Sequence, residues 1–165
     1  MIIDILHDRS YEKDFSHLLG AYFQEIGEAL NSAELEEVMA HLKHEAESGR
    51  SFLGLLVHEG DLLGFICYQL MTPRSHFCEE VGFGSIQDLY VSPGARKTGQ
   101  GRTLVKQAEN HLKNLSVPGI YLSASTEAGR AFWQRMGYSN TGRTWFGNNG
   151  QVFKQGFENL APIYA

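Results

Sequence analysis

Cysteine is scarce in this sequence, which contains only two. Cys67 and Cys78 lie in apolar or mixed stretches without the spacing of a disulfide framework, so a reducing, cytoplasmic environment is expected. A chain of 165 residues can bury a core without disulfides or a structural metal. No internal repeat, low-complexity tract or linker divides it. We therefore expect one domain over residues 1–165.

Long hydrophobic runs and an excess of positive charge are also missing. No apolar stretch approaches the roughly 20 residues of a membrane-spanning helix. The first eight residues lack the basic start and the apolar length of a signal peptide. The net charge of -5 argues against nucleic acid and is compatible with neutral or cationic partners. We expect neither a membrane nor a nucleic acid among the partners.

Histidine patterns that bind metal ions are absent from the sequence as well. The seven histidines are scattered. After His44 and Glu45 the chain continues with Ala46, Glu47 and Ser48, so the second histidine of an HExxH motif is lacking. No metal site is expected.

Apolar residues recur at spacings that alternate between helix and strand. They predict a strand at residues 3–6, a helix at 15–26 and a second helix after Asn31, which forms a capping-box pattern with Glu34. Further strands are predicted at 52–57, 62–70, 85–91 and 120–124, with helices at 104–115 and about 126–136, a helix stop at Gly137, and a hairpin over 138–153. This order predicts an α/β fold: a mixed, mostly antiparallel sheet of about seven strands, four helices and a central βαβ crossover.

The connection between the strand at 85–91 and the next helix is the most informative segment. Gly99 and Gly101 allow the backbone to approach a bulky anion, and free amides at the helix start point towards it. Arg96, Lys97 and Arg102 add positive charge at the same place. This chemistry is best suited to binding a pyrophosphate.

Two common phosphate-binding motifs do not fit this loop. A Walker A loop ends in Gly-Lys-Ser/Thr, whereas Gly99 is followed by Gln100 and Gly101. A dinucleotide-binding fingerprint needs a third glycine three residues beyond Gly101, where this chain has Leu104.

The loop instead resembles the signature of the GNAT superfamily of acetyltransferases, Arg/Gln-x-x-Gly-x-Gly/Ala. Residues 96–101, Arg-Lys-Thr-Gly-Gln-Gly, match it position by position. The likeness extends to the preceding strand, residues 89–91, and to residues 131–138, which resemble the family's aromatic-bearing helix and Gly-aromatic turn. Either glycine pattern alone would be typical of an ordinary turn. Two motifs in the correct order, over nearly the whole chain, are far more specific.

The resemblance implies a GNAT fold with a central βαβ acetyl-CoA-binding core. It also implies direct transfer of an acetyl group from acetyl-CoA to a primary amine of a small, cationic molecule. Consistent with a reaction that needs no nucleophilic side chain, the sequence has no Gly-x-Ser-x-Gly elbow. The residues that the resemblance assigns to cofactor binding are Leu89, Tyr90, Val91, Arg96, Lys97, Thr98, Gly99, Gln100, Gly101, Arg102, Thr126, Phe132 and Trp133.

Asp88 is the predicted catalytic base. An alkylamine is neutral in only about one molecule in a few thousand at pH 7, so a group must accept its proton. The run around Asp88 resembles the corresponding strand of small-amine acetyltransferases. The alternatives are that Asp88 faces solvent or pairs with a base such as Arg130. A water chain or another carboxylate, such as Glu25 or Glu80, would then accept the proton.

At the residue that protonates the departing thiolate, the sequence departs from the family pattern. The resemblance places Trp133 at the family's tyrosine, and an indole does not ionise usefully. Tyr138 is the predicted replacement, with Tyr90 or water as alternatives. Thr126 also departs from the family, where many relatives have asparagine.

Two other activities stay open at this level. One is acetylation of an amino group on a protein or peptide. The other is a catalytically weak coenzyme-A-binding module, suggested by Trp133 in place of tyrosine. The sequence also leaves open whether the protein forms a homodimer.

Overall fold

The computed structural model describes residues 2–4, 9–71, 82–145 and 150–157. The helices are α1 (Glu12–Glu25), α2 (Ser32–Glu47), α3 (Gln100–Asn114) and α4 (Glu127–Arg135). The strands are β1 (Ile2–Asp4), β2 (Ser51–His58), β3 (Asp61–Leu70), β4 (Gly84–Val91), β5 (Gly119–Ala124), β6 (Ser139–Trp145) and β7 (Gly150–Gly156). The predicted order of elements and the α/β class are confirmed.

Local signals in the sequence set the ends of two helices. The Asn31 side chain accepts a hydrogen bond from the Glu34 amide at 3.0 Å, and the Glu34 carboxylate accepts one from the Asn31 amide at 2.8 Å. This reciprocal pair is the predicted capping box at the start of α2. Gly137 follows α4 with φ of 94°, a left-handed conformation that favours glycine and ends the helix as predicted.

The seven strands form one sheet in the order β1-β2-β3-β4-β5-β7-β6. The pairs β1/β2, β5/β7 and β6/β7 are antiparallel. The pair β4/β5 is parallel, with Gly84 opposite Ile120 and Ser85 opposite Tyr121. Parallel neighbours need a crossover connection, and α3 supplies it. The prediction of a mixed, mostly antiparallel sheet with a central βαβ unit is confirmed.

The chain divides into two compact units, each made of separate segments. The first comprises Met1–Cys67 and Asp88–Gln107, and the second comprises Tyr68–Gln87 and Ala108–Ala165. The single domain over residues 1–165 stays a prediction.

The core of the first unit is built mainly from α1, α2, β2 and β3. Its buried members are Phe15, Leu19, Met39, Leu53, Leu55, Phe65, Cys67 and Tyr90. Cys67 is a free, buried cysteine of this core, whereas Cys78 lies outside the described residues. Burial of this aromatic and aliphatic surface holds α1 against the strands, among them β4, which leads into the loop before α3.

The core of the second unit contains Met71, Tyr121 and Val152, against which Phe83 and Trp145 pack. Helix α3 belongs to the first unit up to Gln107 and to the second from Ala108. It buries the apolar stripe expected of the helix predicted at 104–115, and the fully buried members of that stripe are Leu104, Val105, Ala108 and Leu112. Within the described residues, no helix combines the length and the hydrophobicity needed to cross a bilayer.

Candidate active site

The predicted site residues fall into two groups, one in each unit. The first unit contains Asp88, Leu89, Tyr90, Val91, Arg96, Lys97, Thr98, Gly99, Gln100, Gly101 and Arg102. The second contains Thr126, Phe132, Trp133 and Tyr138.

The loop between β4 and α3 is folded by its own hydrogen bonds. A 3₁₀ turn at Pro93–Ala95 follows the strand, and the Thr98 hydroxyl donates to the Ala95 carbonyl at 2.6 Å. Lys97 and Gly99 both have left-handed backbones, with φ of 62° and 88°. The glycine adopts this conformation without strain, whereas it is uncommon for lysine. The loop is therefore held in one shape by local interactions.

Gly99 is the residue from which α3 begins. Its carbonyl accepts the Thr103 amide at 3.0 Å, so Gln100, Gly101 and Arg102 form the first turn of the helix. Amides in the first turn have no acceptor within the helix, and they carry the positive end of its dipole. Gly101 adds no side chain at this place, and the side chains of Lys97 and Arg102 are exposed. This geometry fits the pyrophosphate of coenzyme A.

Arg96, the first residue of the signature, is bound within the protein. Its Nη2 donates to the Glu25 carboxylate at 2.6 Å, and its Nε donates to the Val91 carbonyl at 2.8 Å. The guanidinium also lies 5.4 Å from the centre of the Tyr90 ring. The hydrogen bond from Arg96 lowers the pKa of Glu25, and burial only partly opposes it. Arg96 thus ties the loop to the end of α1 and the end of β4. Arg96 is itself exposed but engaged in these bonds, which leaves the exposed Lys97 and Arg102 as the other cations at the loop.

Asp88 lies half-buried on β4 and is bonded to a tyrosine from α1. The Tyr22 hydroxyl donates to Asp88 Oδ1 at 2.5 Å. Burial raises the pKa of Asp88 above its usual range, and the hydrogen bond from Tyr22 partly offsets this. Arg130, the alternative partner, donates to the Ser125 carbonyl at 3.0 Å. A raised pKa makes the ionised carboxylate a stronger proton acceptor than that of an exposed aspartate.

The aromatic residues of the second unit form a compact cluster. The Trp133 ring packs edge-on against Phe132 and Tyr138, with centroids 5.0 and 5.1 Å apart. The Tyr138 hydroxyl donates to Glu109 at 3.2 Å, and Glu109 is fully buried. Burial raises the pKa of Tyr138, and the charge of Glu109 raises it further. Thr126 accepts the Gly129 amide at 3.0 Å and so caps the start of α4.

Sequence reasoning missed three polar residues of these groups. The sequence predicts Tyr22 only as a residue of the helix at 15–26, gives Glu25 only as an alternative to Asp88, and assigns no role to Glu109. A hydroxyl or a carboxylate on the inner face of a helix is a signal that a polar partner is needed. It does not tell which partner, because Tyr22 and Asp88 are 66 positions apart in the chain.

Comparison with known proteins agrees with the fold and with the family resemblance. A sequence model of the acetyltransferase (GNAT) family matches residues 12–138. Among curated proteins, none matches the sequence.

Solved structures share the fold at low sequence identity. The PaiA N-acetyltransferase from Thermoplasma acidophilum, in complex with coenzyme A, is 12% identical with a TM-score of 0.70, over 95% of this chain and 98% of that chain. The ribosomal-protein-alanine N-acetyltransferase from Brucella melitensis is 18% identical with a TM-score of 0.70, over 95% and 99%. An aminoglycoside 6'-acetyltransferase type Ii is 19% identical with a TM-score of 0.67, over 94% and 96%.

The family match, over residues 12–138, covers most of the sequence and includes the loop that carries the signature. The resemblance and the fold predicted from it are thereby confirmed, as is acetyl-CoA as the cofactor. The chain belongs to the acetyltransferase (GNAT) family and is an acetyl-CoA-dependent transferase.

Proposed function

We propose that this protein transfers the acetyl group of acetyl-CoA directly to a primary amine of a small, cationic molecule, with Asp88 as the base. The observation that carries the proposal is the half-buried Asp88 carboxylate on β4, the strand that leads into the loop before α3. This carboxylate accepts a hydrogen bond from the neutral hydroxyl of Tyr22 on α1. An ionised carboxylate in such a place attracts a protonated amine and can then accept its proton.

The pyrophosphate loop would hold the cofactor through backbone and charge. Bound acetyl-CoA supplies an acetyl group activated as a thioester. The first-turn amides of α3 would bind the pyrophosphate, and Lys97 and Arg102 would offset its charge. A backbone amide of the strand segment 89–91 would meet the negative charge that develops on the carbonyl oxygen.

Negative charge near the proposed base favours a cationic acceptor. Burial raises the pKa of Tyr22, and the charges of Asp88 and Glu28 raise it further. Both carboxylates therefore act on the same hydroxyl at the end of α1. A positively charged amine would be stabilised there, which supports a small cationic substrate over a neutral one.

Tyr138 stays the predicted donor for the departing thiolate, with Tyr90 and water as the alternatives. The hydroxyl of Tyr138 donates to Glu109, so it can act as an acid only after that hydrogen bond is exchanged. Burial raises the pKa of Tyr90 as well, and the charge of Glu25 adds to the effect. Because the pKa values of Tyr138 and Tyr90 are both raised, neither phenol is made a stronger acid by its surroundings, and water is the remaining alternative as proton donor.

Replacing the indole by a phenol tests the thiolate step. Trp133→Tyr is expected to retain or raise turnover, because it restores a phenol where the family has one. Trp133 is only 7% exposed, so the smaller ring should cost roughly 1–3 kcal/mol of stability. Turnover at saturating acetyl-CoA and the melting temperature Tm measure the two effects. A folded variant that binds coenzyme A but loses activity would show that the indole itself shapes the site.

A panel of amines tests the proposed function as a whole. Release of free coenzyme A thiol is measured with polyamines, amino sugars, lysine-containing peptides and peptides with free N-termini. Small cationic amines should be acetylated with the highest kcat/KM. Peptides that outperform them would move the assignment to a protein-modifying enzyme. Tight coenzyme A binding without transfer to any amine would identify a binding module instead.

A further inference from the structure

We infer that Tyr22 is a positioning residue for Asp88: its hydroxyl donates to Oδ1 and so leaves Oδ2 directed to the amine of the substrate. The inference rests on the proposed role of Asp88 as the base. It assigns a function to a residue on α1 that carries no part of the acetyltransferase signature. The hydrogen bond, 2.5 Å long, is the contact on which it depends.

The ring of Tyr22 is fixed on three sides, so its hydroxyl has a defined direction. It packs edge-on against Phe65 of β3 at 5.5 Å and against Tyr90 of β4 at 5.7 Å, measured between ring centres. Phe23, its neighbour on α1, lies 5.3 Å away. Edge-to-face aromatic contacts are favourable and have a specific geometry, so they restrict the orientation of the ring. The hydroxyl is thereby presented to the carboxylate by the packing of α1 on the sheet.

The groups around Asp88 show what the hydrogen bond does. From α1, the Tyr22 hydroxyl donates to Asp88. On β3, burial raises the pKa of the Cys67 thiol, and the charge of Asp88 raises it further. The charge of Glu28 raises the pKa of Tyr22. On β4 itself, Tyr90 is engaged with Glu25 and Arg96. Tyr22 is therefore the group that stabilises the ionised form of Asp88, while burial opposes ionisation.

A purely structural role for Tyr22 makes a different prediction from a positioning role. If Tyr22 only fills space, only the packing of its ring matters, and removing the hydroxyl does not change the pKa of Asp88. If Tyr22 positions Asp88, removing its hydroxyl removes the hydrogen bond that lowers the pKa of Asp88, and only the effect of burial remains. Its pKa then rises, and the base is protonated over a wider range of pH.

Tyr22→Phe keeps the ring and removes the hydroxyl. We expect the acidic limb of the profile of kcat/KM against pH to move up by about one pH unit. The affinity for coenzyme A should be unchanged, because the pyrophosphate loop is not touched. The matched control is Tyr11→Phe, since Tyr11 packs against the same core and no hydrogen bond joins it to Asp88 within the described residues. The control should keep the wild-type profile.

A measurement without turnover separates this inference from the proposed function. Carbon-13 labelling of the aspartate carboxyls, with Asp88→Asn for assignment, gives the titration midpoint of Asp88 by NMR. The midpoint should be higher in Tyr22→Phe than in the wild type. With 3-fluorotyrosine at position 22, a stronger donor, it should be lower. An unchanged midpoint and acidic limb would overturn the role of Tyr22 while the transferase function stands.

Failure of the proposed function has a different result. If no amine in the panel is acetylated by the wild type, the choice of acceptor and the role of Asp88 as base are lost. The NMR midpoints then still report whether Tyr22 controls the charge of Asp88.

Discussion

Coenzyme A is expected not to bind to the Gly101→Asp variant. Gly101 lies in the first turn of α3, where backbone amides face the proposed pyrophosphate. A carboxylate at this position would place a negative charge against the phosphates and a side chain where the backbone must come close. Calorimetric titration with coenzyme A measures the loss directly. Wild-type affinity in a folded variant would refute the assignment of this loop.

The stability of the same variant distinguishes lost binding from lost folding. An acidic side chain near a helix N-terminus usually stabilises the helix, by about 0.3–1 kcal/mol. The variant should therefore melt at or above the temperature of the wild type without ligand. Added coenzyme A should raise the Tm of the wild type and leave that of the variant unchanged. Gly101→Asn has nearly the same size without the charge, so an intermediate affinity would divide the effect between size and charge.

The second large effect is expected from Asp88→Asn, which removes the proposed base while preserving its size. Turnover should fall about a hundred- to ten-thousand-fold, the usual contribution of general-base catalysis. The affinity for coenzyme A should stay the same, because the loop from Arg96 to Gly101 is intact. Steady-state kinetics with the best amine of the panel measure the change.

The dependence on pH separates loss of a base from damage to the site. As the pH rises towards the pKa of the substrate, more of the amine arrives neutral, so the deficit of Asp88→Asn should shrink. Damage to the site would lower the rate by the same factor at every pH. A full rate at neutral pH would remove Asp88 from the mechanism. Glu25, which is bound to Arg96, and Glu80, which lies outside the described residues, would then be the next carboxylates to test.

The stability of Asp88→Asn should change in the opposite direction from its activity. Burial, the larger effect, raises the pKa of Asp88 in the folded protein, and Tyr22 offsets this only in part. A carboxyl with a raised pKa binds its proton more tightly when folded, so stability is lost as the pH rises from the unfolded pKa through the folded one. At pH 7 the variant should therefore melt at or above the wild-type Tm. The difference should disappear below about pH 4.

The local parts of this structure could be predicted from the sequence. The capping box of Asn31 and Glu34, the helix stop at Gly137 and the apolar stripe of α3 each depend on residues within a few positions of one another. The same holds for the pyrophosphate loop, since the left-handed backbone at Gly99 and the start of α3 follow from neighbouring residues. Patterns of this kind are visible before any tertiary contact forms.

The polar contacts around the proposed base depend on residues far apart in the chain. Tyr22 and Asp88 are 66 positions apart, and Glu25 and Arg96 are 71 apart. Tyr22 and Glu25 are three positions apart on α1, so they share a face of the helix. The sequence shows that face as amphipathic, but it does not show which strand will meet it.

By itself, therefore, the sequence determined the order of elements, the local caps and turns, and the family. Only the tertiary structure decided that Asp88 is bonded to Tyr22, and that Arg96 is tied to Glu25. The physical reason is that secondary-structure propensities, helix caps and tight turns depend on residues within a few positions of one another. The partner of a buried polar group is chosen by the packing of whole elements, which brings distant residues within hydrogen-bonding distance.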